Sequence, residues 1–180
     1  GIDEYNFSNQ GNGIFVNLEE ESWSSLSNNQ ILETDQLIHQ YGQIYTSSGT
    51  IIENVVATKH QDNIYDNSST NNIIHLGFDN DSFYYFGGED QVFGGEGDDY
   101  IYIDSLSTDF YSIKNLEANN FSIFSDTYQS YSNPLLVIDE VEYIQFTDYL
   151  KTPNELLILP PTNDLSHYYG SLGDGIVPDV

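Results

Sequence analysis

Apolar side chains recur along this chain in short runs separated by polar and glycine-bearing turns, the spacing of strands rather than of long helices. Aromatic and β-branched residues fill the runs, while stretches rich in Ala, Leu and Lys are scarce, so the chain is expected to be all-β. Strands are predicted near residues 4–7, 12–18, 51–56, 63–65, 72–74, 82–85, 91–93, 100–103, 110–113, 120–124, 135–139 and 142–146. Two segments carry helical patterns. Asn29 to Gln40 is the weaker; Thr152-Pro153-Asn154-Glu155 ahead of Leu156-Leu157 has a capping-box spacing with Pro at the first helical position. That short C-terminal helix would plug an open end where a bare strand edge invites aggregation.

Within the strand-rich centre the pattern acquires a fixed period. Gly94-Gly95-Glu96-Gly97-Asp98-Asp99-Tyr100-Ile101-Tyr102 fits the nine-residue pattern Gly-Gly-x-Gly-x-Asp-x-apolar-x of a calcium-binding parallel β-roll. Tyr85 to Phe93 and Leu76 to Tyr84 repeat it, each with Asp at position six (Asp90, Asp81) and an apolar residue at position eight (Val92, Phe83). The first six residues of a unit form a turn, the last three a strand, and two units complete a coil. Gly77, Gly88, Gly95 and Gly97 suit a turn that visits positive φ, and Asp79 at position four is a tolerated departure. Units two apart share an edge, so Asp81 and Asp99 should lie one above the other. Stacked carboxylates repel, and Ca²⁺, which takes about 6–8 oxygen ligands, relieves that repulsion with help from turn carbonyls. On the opposite edge the pair would be Asn71 and Asp90, if His75 is a one-residue insertion, and this site should be weaker. Ala57 to Tyr65 and Asp66 to Ile74 keep positions six and eight (Asp62, Ile64; Asn71, Ile73) without the glycines and read as degenerate coils, with Asp62 facing Asp81.

These units resemble the RTX, or hemolysin-type calcium-binding, repeats of bacterial exoproteins. Tyr5 to Ser8, Gly13 to Leu18 and Ile52 to Val56 resemble the strands that lead into such a roll, and Val141-Glu142-Tyr143-Ile144-Gln145-Phe146-Thr147-Asp148 is similar to a segment that often closes one. The resemblance covers about residues 5–150. With one complete unit, the family's run of equivalent calcium sites does not carry over wholesale. The implied organisation is a single domain over 1–159 (lead-in strands 1–56, repeats 57–103, closing strands and cap 104–159) followed by a polar tail over 160–180.

Composition agrees. Twenty-nine acidic residues against 3 basic ones give a formal charge of -26 over 180 residues, and self-repulsion on that scale opposes compaction unless it is neutralised. Part of the excess, such as Glu19-Glu20-Glu21, lies outside the repeats and reads as solvated surface. Three lysines provide no basic patch for nucleic acid or anionic lipid. No apolar run approaches the ~18 residues of a membrane-spanning helix. The lack of Cys removes disulfides and thiolate metal sites. With Gly at position 1 and no secretory signal pattern, the chain reads as an excised fragment or processed product. His39, His60, His75 and His167 lack zinc-ligand spacing, no Gly-x-Ser-x-Gly elbow occurs, and no Asp-Pro bond is present for calcium-triggered self-cleavage, so an enzyme is not expected. Ile176 to Val180 reads either as the apolar end of a C-terminal export signal or, preferably, as a boundary or surface strap.

The expected function is a calcium-dependent folding module of a larger exported protein, secreted by a type I route and disordered at the low calcium inside the cell. Its ligands would be Asp81, Asp99, Asp90 and turn carbonyls. The alternative is a recognition module for a glycan or cell surface, in which Tyr84, Phe93 and Tyr102 at position nine project outward to stack on a sugar, or the Glu19 to Gly49 insertion meets the ligand.

Overall fold

The computed structural model describes residues 1–26, 43–115, 117–125 and 133–157; the Asn29 to Gln40 helix, the 160–180 tail, His39 and His167 lie outside them. In chain order the strands are Glu4–Asn6 (β1), Phe15–Asn17 (β2), Ser22–Ser25 (β3), Gln43–Thr46 (β4), Asn54–Val56 (β5), Asn63–Tyr65 (β6), Ile73–Phe78 (β7), Ser82–Tyr85 (β8), Asp90–Glu96 (β9), Tyr100–Ile103 (β10), Phe110–Asn115 (β11), Asn120–Ser125 (β12), Leu136–Asp139 (β13), Tyr143–Gln145 (β14) and Leu150–Lys151 (β15). The chain is all-β, and its strands form two mixed sheets.

One sheet runs β1-β5-β7-β9-β13-β12-β11, the other β15-β14-β10-β8-β6-β2-β3-β4. Through the centre of each, neighbours are parallel: β5 with β7 and β7 with β9 in the first, β6 with β8 and β8 with β10 in the second. Consecutive strands from β5 to β10 therefore alternate between sheets, and the pairs Ser82↔Tyr100 and Ile73↔Gln91 are set eighteen residues apart. Antiparallel strands flank this centre: the β3–β4 hairpin, the β11–β12–β13 meander and the β14–β15 pair. The β3–β4 hairpin falls in the Glu19 to Gly49 insertion, where no strand is expected from the pattern.

Alternation of side chains across each strand fills the space between the sheets. Val16, Ile64, Phe83, Ile101 and Ile144 stand opposite one another across the second sheet; Val55, Ile74, Val92 and Ile138 do so across the first. All nine are fully buried and belong to one core cluster. Ile64, Phe83, Val92 and Ile101 are thus in the core, as position eight requires. Ile73 is not: it is 37 % exposed while Ile74 is buried, so the degenerate unit is displaced by one residue. The extra residue sits in the turn between β6 and β7, because Tyr65 and Tyr84 are nineteen apart but Ile73 and Gln91 are eighteen. No insertion at His75 is needed.

The C-terminal capping box forms, but around a 3-10 turn over Pro153–Leu156 rather than an α-helix. The Glu155 N–H donates to Thr152 Oγ1, and the Thr152 N–H to Glu155 Oε2 at 2.7 Å. Leu156 is buried in the core cluster, and Ser112 Oγ donates to the Pro153 carbonyl at 2.7 Å, so the turn closes over β11.

Candidate functional site

Every turn of the central region ends in a polar residue two positions before an inward apolar side chain, and parallel pairing brings these residues into columns. On one edge the column runs Asp62, Asp81, Asp99, Glu142. The Ile14 N–H donates to Asp62 Oδ1 (2.7 Å), the Asp62 N–H to Asp81 Oδ1 (2.7 Å), the Asp81 N–H to Asp99 Oδ1 (2.9 Å) and the Asp99 N–H to Glu142 Oε2 (2.8 Å). Each carboxylate thus reaches back one layer and holds the backbone of its equivalent. Asp62, Asp81 and Asp99 are fully buried.

One oxygen of each aspartate is accounted for in this way; the other differs between them. Asp62 Oδ2 accepts the Thr58 N–H at 2.7 Å, so Asp62 is satisfied. Asp81 Oδ2 and Asp99 Oδ2 are buried with no donor facing them. Burial pushes the Asp81 carboxyl up to about 9, and the like charges of Asp62, Asp99 and Asp79 push in the same direction. Burial raises Asp99 to about 6, with Glu142 and Asp98 adding to it. Burial also raises Asp62. The neighbouring charges acting on Asp81 and Asp99 are all negative, and each opposes ionisation of the carboxyl beside it.

The opposite edge is poorer. Asp90 faces Asn72, not Asn71: the Asn72 N–H donates to Asp90 Oδ1 at 2.8 Å, while Asn71 Oδ1 accepts the Glu89 N–H at 3.0 Å. This corrects the expected Asn71–Asp90 pair, and the one-residue displacement is its cause. Asp90 Oδ2 and Asn72 Oδ1 are buried without partners. Beyond Asp90 the column stops at Leu136, which stands opposite it. Asp66 lies against Asp90 instead, its Oδ2 accepting the Phe86 N–H (3.0 Å) and Gly87 N–H (3.2 Å). Burial raises both carboxyls of this pair.

The turns that carry the aspartates pass so close to one another that glycine is required. Gly77, Gly88, Gly95 and Gly97 have φ of 115°, 101°, 100° and 153°, and Asp79 adopts φ 73° as its place in the turn demands. A Cβ on Gly95 would collide with the Gly77 carbonyl oxygen, and one on Gly77 with that of Thr58. Peptide carbonyls therefore line the same edge as the orphaned carboxylate oxygens.

Among the described residues, no three His, Cys, Asp or Glu side chains converge as a ligand group. An ion on this edge must then take part of its shell from backbone carbonyls, which a hard oxygen-seeking cation accepts and zinc does not. The unpartnered Oδ2 atoms, the absence of positive neighbours and the close carbonyls fit calcium at Asp81 and Asp99. At Asp90 the fit is weaker, since its column ends in Leu136.

Glu142, Asp66 and Asn72 escape the sequence reading. Glu142 and Asn72 were findable: each stands two positions before a buried Ile, Ile144 and Ile74, as Asp81 does before Phe83. Asp66 has no such signal, because it belongs to the lengthened turn.

The outward rings stack on each other. Tyr84 lies between Tyr65 (4.1 Å between centroids) and Tyr102 (4.6 Å), and Phe93 stacks on His75 at 4.6 Å. Both faces of Tyr84 are covered, leaving its rim to solvent.

No protein-family model matches the chain, and a search of curated proteins finds no significant match.

Proposed function

We propose that this chain is a calcium-dependent folding module, a parallel β-roll in which divalent ions neutralise columns of buried carboxylates between successive layers. The observation that carries it is the pair of buried, donorless oxygens Asp81 Oδ2 and Asp99 Oδ2, on carboxylates whose charged neighbours are all acidic. The roll itself is supported by the eighteen-residue parallel register and by strands that alternate between the sheets. Asp81 and Asp99 would be the side-chain ligands of the stronger edge, with carbonyls of turn residues 77–80 and 94–98; Asp90 would serve the weaker one. Bound calcium would supply positive charge at these oxygens, so its binding free energy becomes folding free energy.

A chain with this property is compact only where calcium is plentiful. That suits a protein exported unfolded through a type I route and folded outside the cell, which agrees with the resemblance to RTX repeats and with the charge of -26. Recognition of a sugar by the position-nine rings has less to support it, since Tyr84 is sandwiched and Phe93 is stacked. Far-ultraviolet circular dichroism at neutral pH tests the proposal: the β signal is expected to be lost in chelator and restored by calcium but not by sodium at equal ionic strength. A spectrum indifferent to chelation would overturn it.

A further inference from the structure

We infer that the first coil of the roll, β1 and β2 with β5 and β6, orders without metal and is the template on which the calcium-dependent layers assemble, because Thr58 and Asn72 supply protein donors where later layers leave oxygens bare. This rests on the reading of the later columns as cation-neutralised, and it sets the layer at which that dependence begins.

Asp62 holds the same place in its turn as Asp81 and Asp99 and is as deeply buried. Its surroundings differ. Asp62 Oδ2 accepts the Thr58 N–H at 2.7 Å, and Oδ1 accepts the Ile14 N–H at 2.7 Å and the Thr58 hydroxyl at 3.0 Å. The same hydroxyl accepts the His60 N–H at 2.9 Å, so the turn over 58–62 closes on its own groups. Asp81 and Asp99 each accept a backbone N–H on Oδ1 and keep a buried Oδ2 with no donor. A buried carboxylate with three donors is held by the protein alone; one with a bare oxygen needs a cation or a proton.

The other edge repeats the contrast. Asn72 Nδ2 donates to the Ile52 carbonyl at 3.2 Å and the Glu53 carbonyl at 3.0 Å, so two turn carbonyls of the first coil meet a neutral donor. Asn67 Nδ2 does the same for the Leu18 carbonyl at 3.2 Å. Among the described residues, the buried side-chain oxygens without partners belong to Asn72, Asp81, Asp90 and Asp99, all C-terminal to this coil. The coil also has an apolar interior in Phe7, Ile14, Val16, Leu18, Val55 and Ile64. Its outer end is tied to the β3–β4 hairpin, where Tyr5 Oη lies 3.3 Å from Thr46 Oγ1.

The consequence is a direction of assembly. Calcium adds β7 and β8, then β9 and β10, to an edge that is already ordered, so only the first of these steps needs a partner layer formed without metal. The four strands of the template are three residues each, and most of the β signal of the whole chain therefore comes from strands that await calcium.

The test is hydrogen exchange of the full chain across a calcium titration, read separately over 14–16, 54–56 and 63–65 and over 82–85 and 100–103, for the wild type, Thr58→Val and Thr58→Ser. In chelator the three first-coil segments of the wild type are expected to be protected at least about tenfold more than 82–85 and 100–103. Thr58→Val keeps the shape and the backbone N–H but removes the hydroxyl donor, and should lower first-coil protection several-fold, the worth of one hydrogen bond, while Thr58→Ser retains it. First-coil segments that gain protection only over the same calcium range as 82–85 and 100–103 would overturn the inference and leave the folding-module reading intact. So would a Thr58→Val chain with unchanged first-coil protection. If Thr58→Val does not fold even in calcium, the wild-type titration decides alone. A wild type whose 82–85 and 100–103 segments do not respond to calcium overturns both.

Discussion

Replacing Asp81 with Asn should strengthen the metal-free chain and weaken its response to calcium. In the folded state the Asp81 carboxyl titrates at about 9, in the unfolded chain near 3.8. At pH 7 without metal, folding must therefore carry a proton onto this group. The opposition is set by the distance from 3.8 up to the working pH, which at 1.36 kcal/mol for each tenfold in proton activity comes to about 4 kcal/mol. Because the folded value lies above 7, the figure does not depend on how far above. It is comparable with the whole stability of an ordinary domain, about 5–15 kcal/mol. Asn has the same shape, carries no proton to gain, and retains an oxygen for the Asp62 N–H now held at 2.7 Å. The sign follows from the raised value: the contribution of Asp81 is fully present below 3.8 and is lost as pH rises toward 9. The advantage of the variant should thus vanish near pH 4 and grow through neutrality as pH rises toward 9. Urea unfolding followed by circular dichroism, in chelator at pH 7 and pH 4 and again with calcium, measures all three quantities. The reasoning is refuted if Asp81→Asn is less stable than its parent in chelator at pH 7, or if calcium raises the two midpoints equally.

Other substitutions probe the scaffold. Gly95→Ala puts a Cβ into the Gly77 carbonyl at φ 100° and should lower stability with calcium by at least about 3 kcal/mol, whereas Gly49→Ala, at φ 76° with open space around it, should cost about 1–2 kcal/mol; the difference between their unfolding midpoints is the readout. Ile101→Ala, at the centre of the core row, should cost about 2–5 kcal/mol by the same assay. Thr152→Ala removes the Oγ1 that accepts the Glu155 N–H, while leaving the Thr152 N–H bonded to Glu155 Oε2, and should cost about 1 kcal/mol, seen first as faster hydrogen exchange at Glu155. In calcium the pH dependence should reverse, stability falling as acid protonates Asp81 and Asp99, which a thermal melt at several pH values detects.

The parallel centre was legible because its code is local. Inward apolar residues at position eight, with Asp two positions before, located Phe83, Val92 and Ile101 in the core and Asp81, Asp90 and Asp99 at the turn ends. The twelve expected strands all form, with bounds shifted by a few residues. Where the period broke, sequence alone could not say which side of the break had moved. A strict nine-residue step lands on Asn71 and Ile73, where the structure has Asn72 and Ile74, because the lengthened turn at 66–72 has no glycine to mark its end, and only pairing with Gln91 and Val92 resolves it. The β3–β4 hairpin escapes the pattern because three of the four residues of Ser22–Ser25 are serine; its ring pair Trp23 and Tyr45, 4.9 Å apart, is formed across strands. Glu142 was read as part of a closing strand, since its link to Asp99 spans 43 residues and exists only once β10 and β14 pair.

The most direct measurement is anomalous diffraction from a crystal grown with calcium or soaked with a lanthanide. Anomalous peaks within coordination distance of Asp81 Oδ2 and Asp99 Oδ2, sharing turn carbonyls between layers, are the predicted result. An ordered roll with those two oxygens buried and no peak beside either would contradict the account.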